Sequence, residues 1–106
     1  GTDGDSGKGA ALAVTELGLV GKVKIVAMDR NSDMLPYIAD GTIHGAVAQK
    51  SWLEAWLAVH LLHWNKNNTL AIVADPAAAG INPMPQTVST GVIQVTKDNV
   101  AAFMPA

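Results

Sequence analysis

Hydrophobic residues along this chain alternate between helical and strand-like spacing. Apolar positions three and four residues apart predict a first helix over residues 6–17, which Gly18 would end. A β-branched run over residues 22–28 is typical of a buried parallel strand. A second helix over residues 32–40 and a second strand over residues 43–48 repeat this order. The alternation predicts βαβ units, so the expected fold class is α/β with a parallel sheet.

A long and unusually apolar helix is predicted over residues 51–65. It carries a stripe of aromatic rings at intervals of four residues: Trp52, Trp56, His60 and Trp64. Such a stripe is more typical of a core or an interface than of a platform for stacking a ligand. His60 and His63 share a face, but the nearest carboxylate, Glu54, lies nearly two turns away. No metal site is therefore predicted.

The pattern becomes irregular towards the end of the chain. Residues 69–76 are compatible with a strand, and residues 77–86 form a loop broken by proline and glycine. Residues 88–96 predict a final strand, and residues 97–104 predict the start of a short terminal helix.

The start of the first helix is rich in glycine. Asp5 or Ser6 is suited to cap it, while Gly7 and Gly9 weaken it and so indicate close packing at this end. A helix this near the start of a parallel α/β fold is normally fed by a strand. We therefore expect the first crossovers of the sheet to lie upstream of Gly1.

Composition narrows the possible functions. The chain has 106 residues, 49% hydrophobic and 15% charged, with a formal charge of −2. Lysine and arginine are scattered, which argues against nucleic acid as a partner and against an anionic membrane surface. The absence of cysteine excludes disulfides, zinc-thiolate sites and thiol nucleophiles. No cofactor is implied.

The segment "GDSGKG" invites enzymatic interpretations. Gly4-Asp5-Ser6-Gly7 resembles the nucleophile turn of trypsin-like proteases, but those are β-barrels and this chain is predicted to be α/β. A phosphate loop requires serine or threonine after its Gly-Lys pair, and Gly9 stands there instead. The intervals between the glycines do not fit a dinucleotide turn either. We therefore interpret the segment as a glycine-rich helix start packed against a sheet, and we do not expect an enzyme acting through Ser6 or the histidines.

An ordered series of weak motifs carries a family resemblance. Asp3 precedes a helix with Gly9-Ala10 one turn in, "KIVAMD" ends in Asp29, "IADGTI" closes the second helix, and "AVAQ" ends at Gln49. With the tail "TGVIQVTKDNV", this series resembles the C-terminal part of periplasmic sugar-binding proteins of the ribose-binding type. These are the substrate-capturing subunits of ABC importers. The resemblance implies part of the two-lobe periplasmic-binding-protein type 1 fold and a periplasmic location.

The resemblance also implies a division of the chain. Residues 1–49 would form part of the C-terminal lobe, residues 50–68 the helix that crosses to the N-terminal lobe, and residues 69–106 a loop and a returning terminal strand. The Trp52, Trp56 and Trp64 helix would then pack on the missing N-terminal lobe or drive self-association. The other implied partners are a small sugar or polyol and the membrane permease of an ABC transporter.

Candidate ligand-binding residues lie where predicted strands end. Asp29 and Gln49 are at carboxyl ends of strands, where open parallel sheets bind ligands. A carboxylate accepts bonds from two hydroxyls, and an amide both donates and accepts, which suits a polyol. The resemblance adds Asp3 at the position of a ligand-contacting Asn or Asp.

Three further residues of the same segment belong to the predicted site. Met28 replaces the aromatic residue that packs near the sugar in the family, and Arg30 and Asn31 follow Asp29 directly. Arg30 is equally well explained as a solvated charge, and Asn31 as a helix cap. The alternative function is the effector domain of a lac-repressor-type transcription regulator, which has the same fold.

Overall fold

The computed structural model describes residues 1–67, 69 and 73–105. It contains two units, one formed by Gly1–Gln49 with Val92–Ala106 and the other by Lys50–Gly91. The first unit holds a three-stranded sheet and two α-helices. The second holds one long helix, and residues 73–91 of this unit form no helix or strand.

The sheet of the first unit is mixed. Its strands are β1 (Val26–Met28), β2 (Gly45–Gln49) and β3 (Val92–Thr96), with β2 in the centre. β1 pairs with β2 in parallel, as the pattern predicts, whereas β3 runs antiparallel to β2. The α/β class with parallel βαβ pairing is confirmed. The antiparallel direction of β3 was not part of the prediction.

The helices match their predicted positions with shifted ends. Helix α1 spans Ser6–Glu16, helix α2 spans Leu35–Ala39, and a 3₁₀ helix spans Val100–Phe103. Gly18 has a φ of 64°, the left-handed conformation that ends helices, so its predicted role after α1 is confirmed.

The core of the first unit lies on one face of the sheet. The largest fully buried side chains come from α2, its flanks and β3: Met34, Leu35, Ile38, Ile43 and Val95. Small residues on the strands, Ala27, Ala46 and Ala48, point to this face and let the helices approach closely. On the opposite face, Val26 and Val92 are 56% and 58% exposed.

The two glycines of α1 have different environments. A Cβ at Gly7 would lie 2.6 Å from Met34 Sδ and 2.7 Å from Ala27 Cβ, whereas a Cβ at Gly9 would meet no atom within 4 Å. The expectation of close packing is therefore confirmed for Gly7 and wrong for Gly9. Gly9 faces outwards because it lies on the opposite side of the helix from the sheet.

Other predictions differ in detail. Residues 22–25 lie outside the regular strand, because Gly21 has a φ of 81° and residues 20–23 form a tight turn closed by an isolated bridge between Val20 and Val23. Part of the strand suggested over 69–76 lies outside the described residues, and residues 73–76 are irregular.

The second unit is built around helix α3 (Ser51–Lys66). Its aromatic stripe is continuous: the rings of Trp56 and His60 stack at 3.8 Å, and those of Trp52 and Trp56 at 6.4 Å. Trp52 is 76% exposed. Among the described residues, no helix has both the length and the hydropathy needed to cross a bilayer.

Candidate functional site

The carboxyl end of β1 leads directly into the first candidate residue. The Asp29 amide donates to the Val47 carbonyl at 2.9 Å, which holds its backbone against β2. Asp29 then adopts a φ of 70°, and aspartate is one of the few side chains that tolerate this left-handed conformation. The chain thus turns away from the sheet at Asp29, and this residue is partly buried.

The carboxyl end of β2 carries Gln49. Gln49 is the last residue of the strand, is exposed, and pairs in register with Val92 at the start of β3. Because β1 and β2 are parallel, their carboxyl ends meet at one edge of the sheet. The structure therefore brings Asp29 and Gln49 to the same edge, which we call the strand-end edge.

Asp3 has a defined structural role at the start of α1. Its Oδ1 accepts hydrogen bonds from the amides of Ser6 at 2.7 Å and Asp5 at 3.1 Å. These bonds satisfy amides that a helix start leaves unpaired, so Asp3 caps α1 in place of the predicted Asp5 or Ser6. They also hold the pKa of Asp3 below its usual value, with the Ser6 amide as the largest cause. Asp3 is exposed, so its carboxylate can accept a further hydrogen bond from a ligand.

The segment that carries Asp3 lies beside the strand-end edge. The amino group of Gly1 donates to the Val26 carbonyl at 2.8 Å, which places the first residues alongside β1. The side-chain amide of Asn31 donates to the Gly4 carbonyl at 3.2 Å. These contacts join the segment before α1 to the loop that follows Asp29.

The other predicted site residues, Met28, Arg30 and Asn31, differ in burial and in their contacts. Met28 is partly buried and lies in register with Val47. Arg30 is exposed, and among the described residues it forms no ion pair. The side-chain amide of Asn31 donates to the Gly4 carbonyl, so a structural role accounts for Asn31 without a ligand contact.

The arrangement is suited to binding hydroxyl groups. Two carboxylates supply acceptors, and Gln49 supplies both a donor and an acceptor. Ser6 is not placed as a nucleophile: its hydroxyl accepts from the Thr2 amide at 3.0 Å and donates to the Asp3 carbonyl at 3.1 Å. The described residues hold no group of three His, Cys, Asp or Glu side chains placed to bind a metal ion.

Comparison with known families covers the segment that holds the site. A family model described as a periplasmic binding protein domain matches residues 1–68, which include Asp3, Asp29 and Gln49. The chain belongs to this family of periplasmic binding proteins. A search of curated proteins gave no significant match.

Solved structures of the family share the fold. AraP, an arabinose binding protein from Geobacillus stearothermophilus, is 29% identical, with a TM-score of 0.78 over 98% of this chain and 34% of AraP. A sugar-binding protein of a sugar ABC transporter from Bacillus halodurans is 24% identical, with a TM-score of 0.77 over 96% of this chain and 34% of that one. GanP, a glucose-galactose binding protein from Geobacillus stearothermophilus, is 21% identical, with a TM-score of 0.71 over 93% of this chain and 31% of GanP.

These comparisons confirm the predicted resemblance to sugar-binding periplasmic proteins. The chain spans about a third of the length of the structures it matches, since it covers 34%, 34% and 31% of them. The three structures are binding proteins by their descriptions, as was expected for this chain.

Sequence reasoning missed the contacts that join the two loops. Asn31 bonds to Gly4, and Lys8 Nζ lies 2.8 Å from Asp33 Oδ2. The separation of each pair along the chain exceeds twenty residues, so no local pattern indicates them. The glycines at positions 4 and 7 were the available signal, because a larger residue at Gly4 would collide with Asn31 and one at Gly7 with Met34.

The capping role of Asp3 predicts a pH-dependent stability. A carboxylate whose pKa is lowered by folding contributes stability above its unfolded pKa, and this contribution disappears as the pH falls through the folded pKa. Asp3→Ala should therefore lower the melting temperature at pH 7 and lose this effect as the pH falls through the folded pKa of Asp3, which lies below its usual value.

Asp3→Asn is the matched variant, because its amide oxygen still accepts the two backbone bonds. We expect a smaller loss of melting temperature at pH 7 than in Asp3→Ala, and its charge-dependent part should likewise disappear in acid, where the wild-type carboxylate is neutral; circular dichroism measures both. Losses that do not change with pH in either variant would contradict the role of the charge.

Proposed function

We propose that this chain is part of the substrate-binding component of an ABC-type sugar or polyol importer. The observation that carries the proposal is the strand-end edge, where Asp29 and Gln49 end adjacent parallel strands and the Asp3 segment is joined to the Asp29 loop. Open α/β sheets bind ligands at such an edge.

The chemistry of the edge favours a neutral polyol over other ligands. Asp3 is exposed and its low pKa keeps it ionised, so its carboxylate can accept a hydroxyl in addition to its backbone bonds. Asp29 supplies a second carboxylate. Charged acceptors bind hydroxyls more strongly than neutral ones, and two carboxylates disfavour an anionic ligand.

The identity of the sugar depends in part on Met28. In the resembled family an aromatic residue precedes the strand-end aspartate, whereas Met28 is flexible and covers an apolar ring face less specifically. We therefore expect a ligand other than ribose to bind best. In the importer, a membrane permease would receive this ligand from the binding protein on the outer side of the membrane.

A sugar panel tests the proposed function. We expect at least one pentose, hexose or inositol at millimolar concentration to raise the melting temperature of the longest native polypeptide that contains residues 1–106. Ligands that bind only the folded state stabilise it according to their affinity. A panel in which no polyol shifts the melting temperature, with titration calorimetry also showing no heat, would contradict the proposal.

A further inference from the structure

The start of α1 and the loop after β1 are joined by successive contacts. Gly4 meets Asn31 through the 3.2 Å hydrogen bond, and one turn later Gly7 packs against Met34. Lys8 then pairs with Asp33 at 2.8 Å. The contacts advance together along both segments, so they set the position of one segment against the other.

Asn31 is fixed at both its backbone and its side chain. Its carbonyl accepts bonds from the amides of Met34 at 2.9 Å and Leu35 at 3.2 Å, where α2 begins. Its side chain reaches the Gly4 carbonyl, and a Cβ on Gly4 would lie only 2.6 Å from Asn31 Nδ2. A glycine at position 4 is therefore what permits this close approach.

The candidate carboxylates lie immediately beside these contacts. Asp3 precedes Gly4, and Asp29 is two residues before Asn31. Neither Asn31 nor the ion pair needs to touch a ligand to affect binding, because they control the spacing of the two loops. Ligand affinity depends on such preorganisation, since a site that is already ordered loses less entropy on binding.

We propose that Asn31 and the Lys8–Asp33 ion pair are positioning residues that hold the Asp3 and Asp29 loops at a fixed separation for a polyol. This inference rests on the proposed function. It assigns Asn31 a role behind the ligand rather than a direct contact, and it adds Lys8 and Asp33, which the sequence did not place at the ligand site.

Deoxy sugars distinguish positioning from contact. If Asn31 positions the loops, Asn31→Ala weakens binding of the best sugar and of each monodeoxy analogue by the same factor, about three- to tenfold. If Asn31 bonds a hydroxyl, the loss disappears for the analogue that lacks this hydroxyl. That second result, measured by titration calorimetry, would overturn the positioning role.

A charge swap tests the ion pair. The side chains of Lys8 and Asp33 are 43% and 49% exposed, so we expect Lys8→Met or Asp33→Asn to weaken binding only about two- to fivefold. The double variant Lys8→Asp/Asp33→Lys should restore most of the affinity. Lys22→Met, which removes an exposed lysine outside these loops, should change nothing. Failure of the swap to restore affinity would contradict the pairing.

A measurement without ligand separates this proposal from the proposed function. In Asn31→Ala and Lys8→Met, we expect the backbone order parameters of residues 29–32 to fall, and in the charge swap to recover. Unchanged order parameters in all variants would overturn the positioning role whatever sugar binds. A wild-type protein that binds no sugar would overturn the proposed function alone.

Discussion

We expect Gly7→Ala to lower the melting temperature of this protein by about 10 °C, corresponding to about 2 kcal/mol, although alanine is the better helix former. The added methyl group would lie 2.7 Å from Ala27 Cβ, which lies on β1 and has no rotamer to change. It would also lie 2.6 Å from Met34 Sδ, in a side chain that is fully buried. Helix α1 must then move away from β1.

Gly9→Ala is the matched control in the same helix. Nothing lies within 4 Å of a Cβ at this position, so the substitution only improves helix propensity. We expect it to stabilise the protein by about 0.5–1 kcal/mol. Thermal unfolding of the two variants should therefore give shifts of opposite sign. Equal shifts would contradict the packing of α1 against β1.

Much of the fold could be predicted from short-range patterns. The positions of α1, α3 and β2 follow from apolar spacing and from flanking glycines, which act within a few residues. The direction of β3 did not follow, because strand pairing depends on where the chain returns after Gly91 and not on the composition of the strand. The environments of Gly7 and Gly9 also depend on which side of α1 faces the sheet.

The candidate site was likewise predicted only in part. The placement of Asp29 and Gln49 at one edge was predictable, because parallel strands carry their carboxyl ends on one side. The cap formed by Asp3 was missed, since capping was expected from the residues adjacent to the helix. The Asn31 bond to Gly4 was missed because it joins distant parts of the chain.

The second large effect is expected at Asp29. Replacing its carboxylate by an amide turns charge-assisted hydrogen bonds into weaker neutral ones and presents a donor where the ligand needs an acceptor. If Asp29 binds two hydroxyls, Asp29→Asn should weaken sugar binding about a hundredfold. Asp29→Gly removes the same carboxylate while accepting the φ of 70° without strain, so its affinity loss should be at least as large.

Asp98→Asn provides a control at the other edge of the sheet. Because β3 is antiparallel and Thr96 at its end pairs with Gly45 at the start of β2, Asp98 lies away from the strand-end edge. The Asp98→Asn substitution removes one negative charge from the same unit as Asp29. Any effect of net charge on binding should therefore appear equally in Asp98→Asn and Asp29→Asn.

Calorimetric titration of the best sugar from the panel into wild type, Asp29→Asn and Asp98→Asn tests sugar binding at the strand-end edge most directly. We expect Asp29→Asn to lose about a hundredfold in affinity and Asp98→Asn to remain within about twofold of wild type. Equal affinities for all three proteins, with unchanged folding by circular dichroism, would contradict a sugar site at this edge.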